Sequence, residues 1–224
     1  MNPAKRLELF RRLAAERPEP RTELVYVTPY ELLVAVILSA QSTDVGVNRV
    51  TSTLFRAART PEAMVRLGPD GIAEYVRTIG LWRAKSRHVA AASALLVERH
   101  GGEVPRDRAA LQALPGVGTK TAAVVLNVAF GEPLCPVDTH VFRVANRTGL
   151  ARGTTPDAVE RSLYRHVPRE YLVHAHHWLI LHGRYVCTAR RPRCFDCAIA
   201  DLCDHRPKTP AESARARERT ARAG

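Results

Sequence analysis

Leu111-Gln-Ala-Leu-Pro-Gly-Val-Gly-Thr-Lys-Thr-Ala122 is the stretch that decides the fold. Leu111 to Leu114 closes a short helical run, Pro115 to Gly118 turns, and Thr119 opens a second helix. Glycine reaches positive φ without steric cost and lets another chain segment approach closely. The second helix starts with N–H groups that have no intrahelical partner, and such an end accepts a phosphate oxygen without reading a base. Proline-glycine and valine-glycine pairs also occur in ordinary helical connections. The full string, with Lys120 and Thr121 directly after the turn, is far more specific. Gly116, Gly118 and Thr119 are therefore candidate phosphate contacts.

Outward from this hairpin the pattern stays helical. Apolar residues recur at helical spacing over 5–16, 29–40, 43–58, 83–100, 107–113, 119–130, 139–147, 155–166 and 169–186, and no stretch alternates with the two-residue period of a strand. The reading is all-α with short links. The chain has 224 residues, 46% of them apolar, enough to bury a proper core in one large or two small domains. No apolar run approaches the ~18–20 residues that cross a bilayer. The N-terminus lacks the apolar centre of a signal peptide, so the expected compartment is the cytoplasm, with no membrane partner.

Formal net charge is +12, and excess Lys and Arg point to a polyanionic partner, of which nucleic acid is the commonest. From Arg206 the chain is basic and nearly free of large apolar residues. It cannot bury enough surface to order itself, so 206–224 reads as a disordered tail.

Lys120 falls in the first turn of the second hairpin helix. The positive helix end disfavours an ammonium there and favours the free amine, a nucleophile that forms Schiff bases. Asp138, in Pro136-Val-Asp-Thr-His140, is placed as a helix N-cap. It is also a candidate carboxylate to accept a proton or to stabilise positive charge on a sugar. A carboxylate near the amine would favour the ammonium and so oppose the helix end.

Cys187, Cys194, Cys197 and Cys203 crowd into a segment too short for a conventional core and read as a metal or cluster cage. Thiolates suit zinc or iron–sulfur. Only Cys194 and Cys197 form the C-x2-C pair usual in zinc sites, and the uneven spacing suits a bulkier cluster better. A reducing compartment argues against disulfides. Arg190, Arg191 and Arg193 lie among these ligands as a second candidate phosphate contact. Cys135 stands apart as a plain buried thiol. His174, His176 and His177 share a helix, but only His174 and His177 share a face well, no carboxylate pair accompanies them, and Trp178 and Leu179 read as core neighbours, which argues against a metal site there.

Four strings in combination carry a family resemblance: LSAQSTD (38–44), EVPRDRAALQALPGVGTKTAAVVLN (103–127), VDTHVFRVANRT (137–148) and HHWLILHGRYVC (176–187), followed by the four-cysteine loop. The chain resembles the bacterial endonuclease III family over essentially residues 1–206. The resemblance implies two helical lobes. One is a six-helix barrel over 22–132 with the helix-hairpin-helix at about 107–130. The other joins 1–21 to 133–205 and carries a [4Fe–4S] cluster, chiefly structural, on the four cysteines.

It also implies a DNA glycosylase with AP lyase activity in base excision repair, acting as a monomer on double-stranded DNA with damaged pyrimidines or abasic sites, in the bacterial cytoplasm at the nucleoid. DNA would lie across the groove between the lobes, with Lys120 and Asp138 at its mouth. The damaged base is flipped out; Lys120 attacks the sugar C1′, Asp138 assists, and β-elimination cuts 3′ to the abasic site. Gln41 and Leu81 match positions that fill the gap left by the base, and His140 and Arg143 match residues near the groove.

Two positions depart from the family. Thr119 stands where a basic residue is frequent, and Trp82 adds bulk after Leu81. One rival is an adenine glycosylase of the same superfamily, which lacks the nucleophilic lysine and carries an extra C-terminal domain. The other is a non-catalytic DNA-binding module with structural zinc.

Overall fold

The computed structural model describes residues 1–211. Among them there is no strand; ten α-helices and two short 3-10 turns make up the fold. The expected all-α class is what forms. The chain divides into two compact units, residues 22–134 and residues 1–21 with the chain from Cys135 onward.

The first unit is built on α2 (Pro29–Ser39). Thr28 caps it by accepting from Glu31 N–H at 3.2 Å, and Pro29 fits the first turn. Glu31 reaches back to accept from Val27 N–H at 2.6 Å. Tyr30 through Leu38 are all buried, so this helix is apolar all round and forms the centre of the unit. Around it pack α3 (Asp44–Ala57), α5 (Trp82–His100) and α7 (Thr119–Phe130), with α4 (Pro61–Val76) against α3 and α5, and α6 (Arg108–Gln112) against α7.

Sequence periodicity assigns no element between Ala58 and Leu81, yet α4 lies there. Its Gly68 takes φ +69° and ψ 171°, which breaks the helix, and Pro69 restarts it. The glycine and proline that read as loop punctuation mark a kink between two helical halves.

The second unit packs α10 (Leu172–Tyr185) against α8 (Thr139–Thr148) and α1 (Pro3–Glu16), with α9 (Pro156–His166) against α8. Phe10, Tyr171 and Trp178 form its aromatic centre, with ring centroids 5.7 to 6.2 Å apart. The helices α8 and α10 meet at Gly183, where a β-carbon would lie 2.8 Å from His140 Cβ. The expected helix over 169–186 is a 3-10 turn, Arg169–Tyr171, followed by α10.

His176 and His177 are buried in α10. The Nδ1 of His176 lies 2.8 Å from Pro136 O. Cys135 is fully buried, and burial pushes its thiol pKa far up, so it stays protonated. Among the described residues no helix is long and apolar enough to cross a membrane. In the basic tail, Arg206 and Lys208 both donate to Cys203 O, at 2.9 and 2.8 Å. The rest of the expected disordered tail, 212–224, lies outside the described residues.

Burial holds the His177 pKa down at about 4, against an ordinary value of 6.5. The folded state therefore keeps this ring neutral where the unfolded chain would protonate it. Its contribution to stability is present above pH 6.5 and is lost as pH falls towards 4. In urea unfolding at a series of pH values, His177→Gln is expected to flatten the stability curve over that window.

Candidate functional site

The hairpin forms as its sequence directs. Val117 N–H donates to Leu114 O at 3.1 Å across the turn, and Gly116 sits at φ +81°. A β-carbon on Gly116 would lie 2.9 Å from His88 Cβ, so α5 rests directly on the turn. Gly118 is the N-cap of α7 and has no side chain to cap it. A β-carbon there would meet nothing within 4 Å. Among the described residues no side chain caps this end of α7, and an uncapped helix start is the kind of site that accepts a phosphate.

Thr119 does not point its hydroxyl into that space alone, since its Oγ1 accepts from Gln112 Nε2 at 2.8 Å and ties α7 to α6. Lys120 is exposed in the same first turn; burial contributes nothing to its reactivity in this state.

Asp138 caps α8, its Oδ1 accepting from Val141 N–H at 2.7 Å. Oδ2 is left to do something else. The N-cap reading holds, and it engages only one of the two carboxylate oxygens. Lys120 and Asp138 belong to different compact units.

Gln41 and Leu81 share a property that no other described non-glycine residue has: both adopt positive φ, at 53° and 58°. For a leucine this is a rare conformation that costs on the order of 1–3 kcal/mol. Leu81 is also 57% exposed, and Gln41 is exposed. A strained leucine presented to solvent is unfavourable twice over, which marks it as serving something other than the fold. The two residues lie on neighbouring loops: a β-carbon on Gly80 would stand 3.6 Å from Gln41 O. Trp82 is half-buried beneath the Arg83 guanidinium, which stacks 4.1 Å from its ring centroid.

In the other unit, Cys187, Cys194, Cys197 and Cys203 all line one cavity, with His182 and Ile199. None is in a disulfide. Burial pushes the Cys197 thiol up to about 11, so a thiolate there needs a cation beside it. Nitrogen groups face the sulfurs: Arg147 Nη1 donates to Cys187 Sγ at 3.6 Å, and His182 Nε2 lies 3.7 Å from Cys197 Sγ. Among the described residues no three His, Cys, Asp or Glu side chains close on a single metal ion. Four thiol groups around one cavity are a donor set that suits zinc or an iron–sulfur cluster.

Arg143 binds carbonyls, donating from Nε to Cys187 O at 2.9 Å and from Nη2 to Gly183 O at 2.8 Å; His140 Nδ1 lies 3.1 Å from the same Nη2. Arg147 grips Thr188 O and Ala189 O at 2.8 and 2.7 Å. Arg190 and Arg191 remain exposed, while Arg193 pairs with Asp196 at 2.7 Å. Arg147, His182, His88 and Lys85 escaped the sequence reading. Only Arg147 left a signal, as the second arginine at i, i+4 on α8.

Residues 34–169 match the family described as HhH-GPD superfamily base excision DNA repair protein. The chain is 55% identical over 208 residues to endonuclease III of Escherichia coli (strain K12), covering 93% of this chain and 99% of that protein. It is 54% identical over the same length to endonuclease III of Haemophilus influenzae, with the same coverage. Among solved structures it is similar to a trapped endonuclease III–DNA covalent intermediate (TM-score 0.84, 42% identity, 91% and 96% of the two chains). A non-covalent endonuclease III–DNA complex is similar as well (TM-score 0.85, 40% identity, 97% and 99%).

Gly116→Ala is expected to cost about 1–3 kcal/mol in urea unfolding, from its φ and from the clash with His88. Adding His88→Ala should recover only part of this, because the alanine keeps the β-carbon that stands nearest Gly116.

Proposed function

The chain belongs to the HhH-GPD superfamily of base excision DNA repair proteins, and from that membership we propose how its own residues carry out the reaction. It is a DNA glycosylase with AP lyase activity, of the endonuclease III kind. Its substrate is double-stranded DNA bearing an oxidised or otherwise damaged pyrimidine, or an abasic site, and it works as a monomer.

The observation that carries the assignment of residues is the open start of α7. Its uncapped N–H groups hold a backbone phosphate. Lys120, exposed in the same first turn, is then brought to the sugar of the flipped nucleotide. The Lys120 amine attacks C1′, and the C1′–N bond to the base breaks with its electron pair leaving on the base. Asp138 takes the proton released by the amine, and its charge stabilises the cationic sugar. The C1′–O4′ bond then opens, O4′ taking up a proton, and the imine so formed acidifies the C2′ hydrogen. Loss of that proton expels the 3′ phosphate, and the strand breaks on the 3′ side.

Gln41 and Leu81 fill the place of the extruded base; their strain and exposure support that role. Gly116, Gly118 and Thr119 form the phosphate seat, with Arg190 and Arg191 as a second contact. For Arg143 the bonds to Cys187 O and Gly183 O support a part in bracing the cysteine loop ahead of a direct DNA contact.

Cys187, Cys194, Cys197 and Cys203 would hold a [4Fe–4S] cluster. When bound, it supplies a rigid anchor for the arginine-bearing loop and takes no part in bond breaking. Arg147 and His182 orient the loop and face the sulfurs.

Borohydride trapping on an oxidised-pyrimidine duplex tests the nucleophile. Lys120→Ala is expected to abolish the trapped adduct while DNA binding persists; a normal adduct from this variant refutes the assignment. Asp138→Asn keeps an oxygen for the Val141 cap but loses the charge. It should hold its melting temperature and slow excision by about 10²-fold. The purified protein should contain about four irons per chain and absorb in the visible; stoichiometric zinc in their place would contradict the cluster.

A further inference from the structure

Lys85 is 3% exposed, and among the described residues no carboxylate pairs with it. Among the described residues its side-chain hydrogen bond runs from Nζ to Ser42 Oγ, at 2.8 Å. An ammonium removed from water and given only a hydroxyl is costly, and it stands near a helix N-terminus, the wrong end for a cation. Burial accordingly lowers its pKa. An apolar side chain of the same length would fill this place at less cost to the fold. The site of the bond explains its retention.

Ser42 directly follows Gln41, and Lys85 stands one helical turn beyond Leu81, its N–H donating to Leu81 O at 3.0 Å. The bond thus joins the loop of one strained residue to the helix begun by the other. The loops touch again at Gly80 and Gln41 O, and α3 approaches Ile79 at Gly46. Two residues at positive φ would relax if their loops moved independently.

We propose that Lys85 is a positioning residue that clamps the Gln41 and Leu81 loops into one rigid wedge, preformed to replace a flipped base. This rests on the reading that Gln41 and Leu81 enter the duplex. The clamp touches no reacting atom, so its loss should be felt only where a base must be replaced.

Single-turnover rates test it. Lys85→Met and Ser42→Ala should each slow excision of an oxidised pyrimidine from duplex DNA by about tenfold. Cleavage of an abasic site facing a one-nucleotide gap, where no partner base is left behind, should stay within about twofold. The double variant should be no slower than the slower single one, because both cut the same tether. Lys85→Met should melt no lower than the parent, since it removes an uncompensated buried charge. A fluorescent base opposite the lesion should brighten with the parent protein and not with Lys85→Met.

Equal slowing on both substrates, multiplicative slowing in the double variant, or a lowered melting temperature with loss of both activities overturns the clamp. The parent protein tests the underlying reading separately: if Leu81→Ala and Gln41→Ala leave duplex excision unchanged, the wedge itself is refuted, whatever Lys85 does.

Discussion

One helix, α5, sets the register of everything in its unit that is offered to DNA. Its His88 lies against Gly116, so the hairpin turn cannot shift without moving α5. Three residues N-terminal to His88, Lys85 holds Ser42, and one turn earlier Leu81 begins the helix in a left-handed conformation. The hairpin turn and the strained loops are therefore fixed to a common rod. A packed helix has few alternative arrangements, because interiors are dense and discrete rather than compressible. The distance from an anchored phosphate to the gap in the base stack is a constant of DNA, and a rigid rod is a physical way to match it.

The second unit solves a different problem, that of holding a loop with little core of its own. The carbonyls of Gly183, Cys187, Thr188 and Ala189 accept from two arginines of α8. Guanidinium suits this because it presents several donors in a fixed fork and keeps its charge. Arg147 also places positive charge beside the Cys187 sulfur. Arg143 and Arg147 thus do for the loop what a hydrophobic core does for a helix, and in doing so they stop being free cations at the surface.

What could be read from the sequence follows from how local each feature is. The hairpin, Lys120 and the four cysteines are legible because their chemistry sits within a few consecutive residues. The helices are legible from their period, apart from Pro61–Val76, where Gly68 and Pro69 carry a kink that resembles a loop in composition. The Asp138 cap is local and was visible. Lys85 was not: a lysine in a helical run reads as a solvated face, and only packing with Ser42, 43 residues away in sequence, shows otherwise. The same holds for His88 and His182, whose partners are distant in the chain. Arg143 stood out through resemblance, but its bonds to Cys187 O and Gly183 O could not be seen from spacing.

The strained pair shows how a physical criterion can stand beside a resemblance. Family likeness places Gln41 and Leu81 in the duplex without saying what the free protein does with them. The backbone shows both at positive φ, in conformations that cost energy to keep; on the proposed wedge reading they are shaped before DNA arrives. A flexible loop would have to lose its freedom at the moment of binding, and that loss would weaken capture of the flipped state. Strain met in advance removes this penalty from the binding step. The cost moves into the folded state, where the surrounding core of α2, α3 and α5 offsets it. A buried lysine with no carboxylate partner among the described residues belongs to the same trade: on the proposed reading, stability is given up locally so that the wedge arrives shaped.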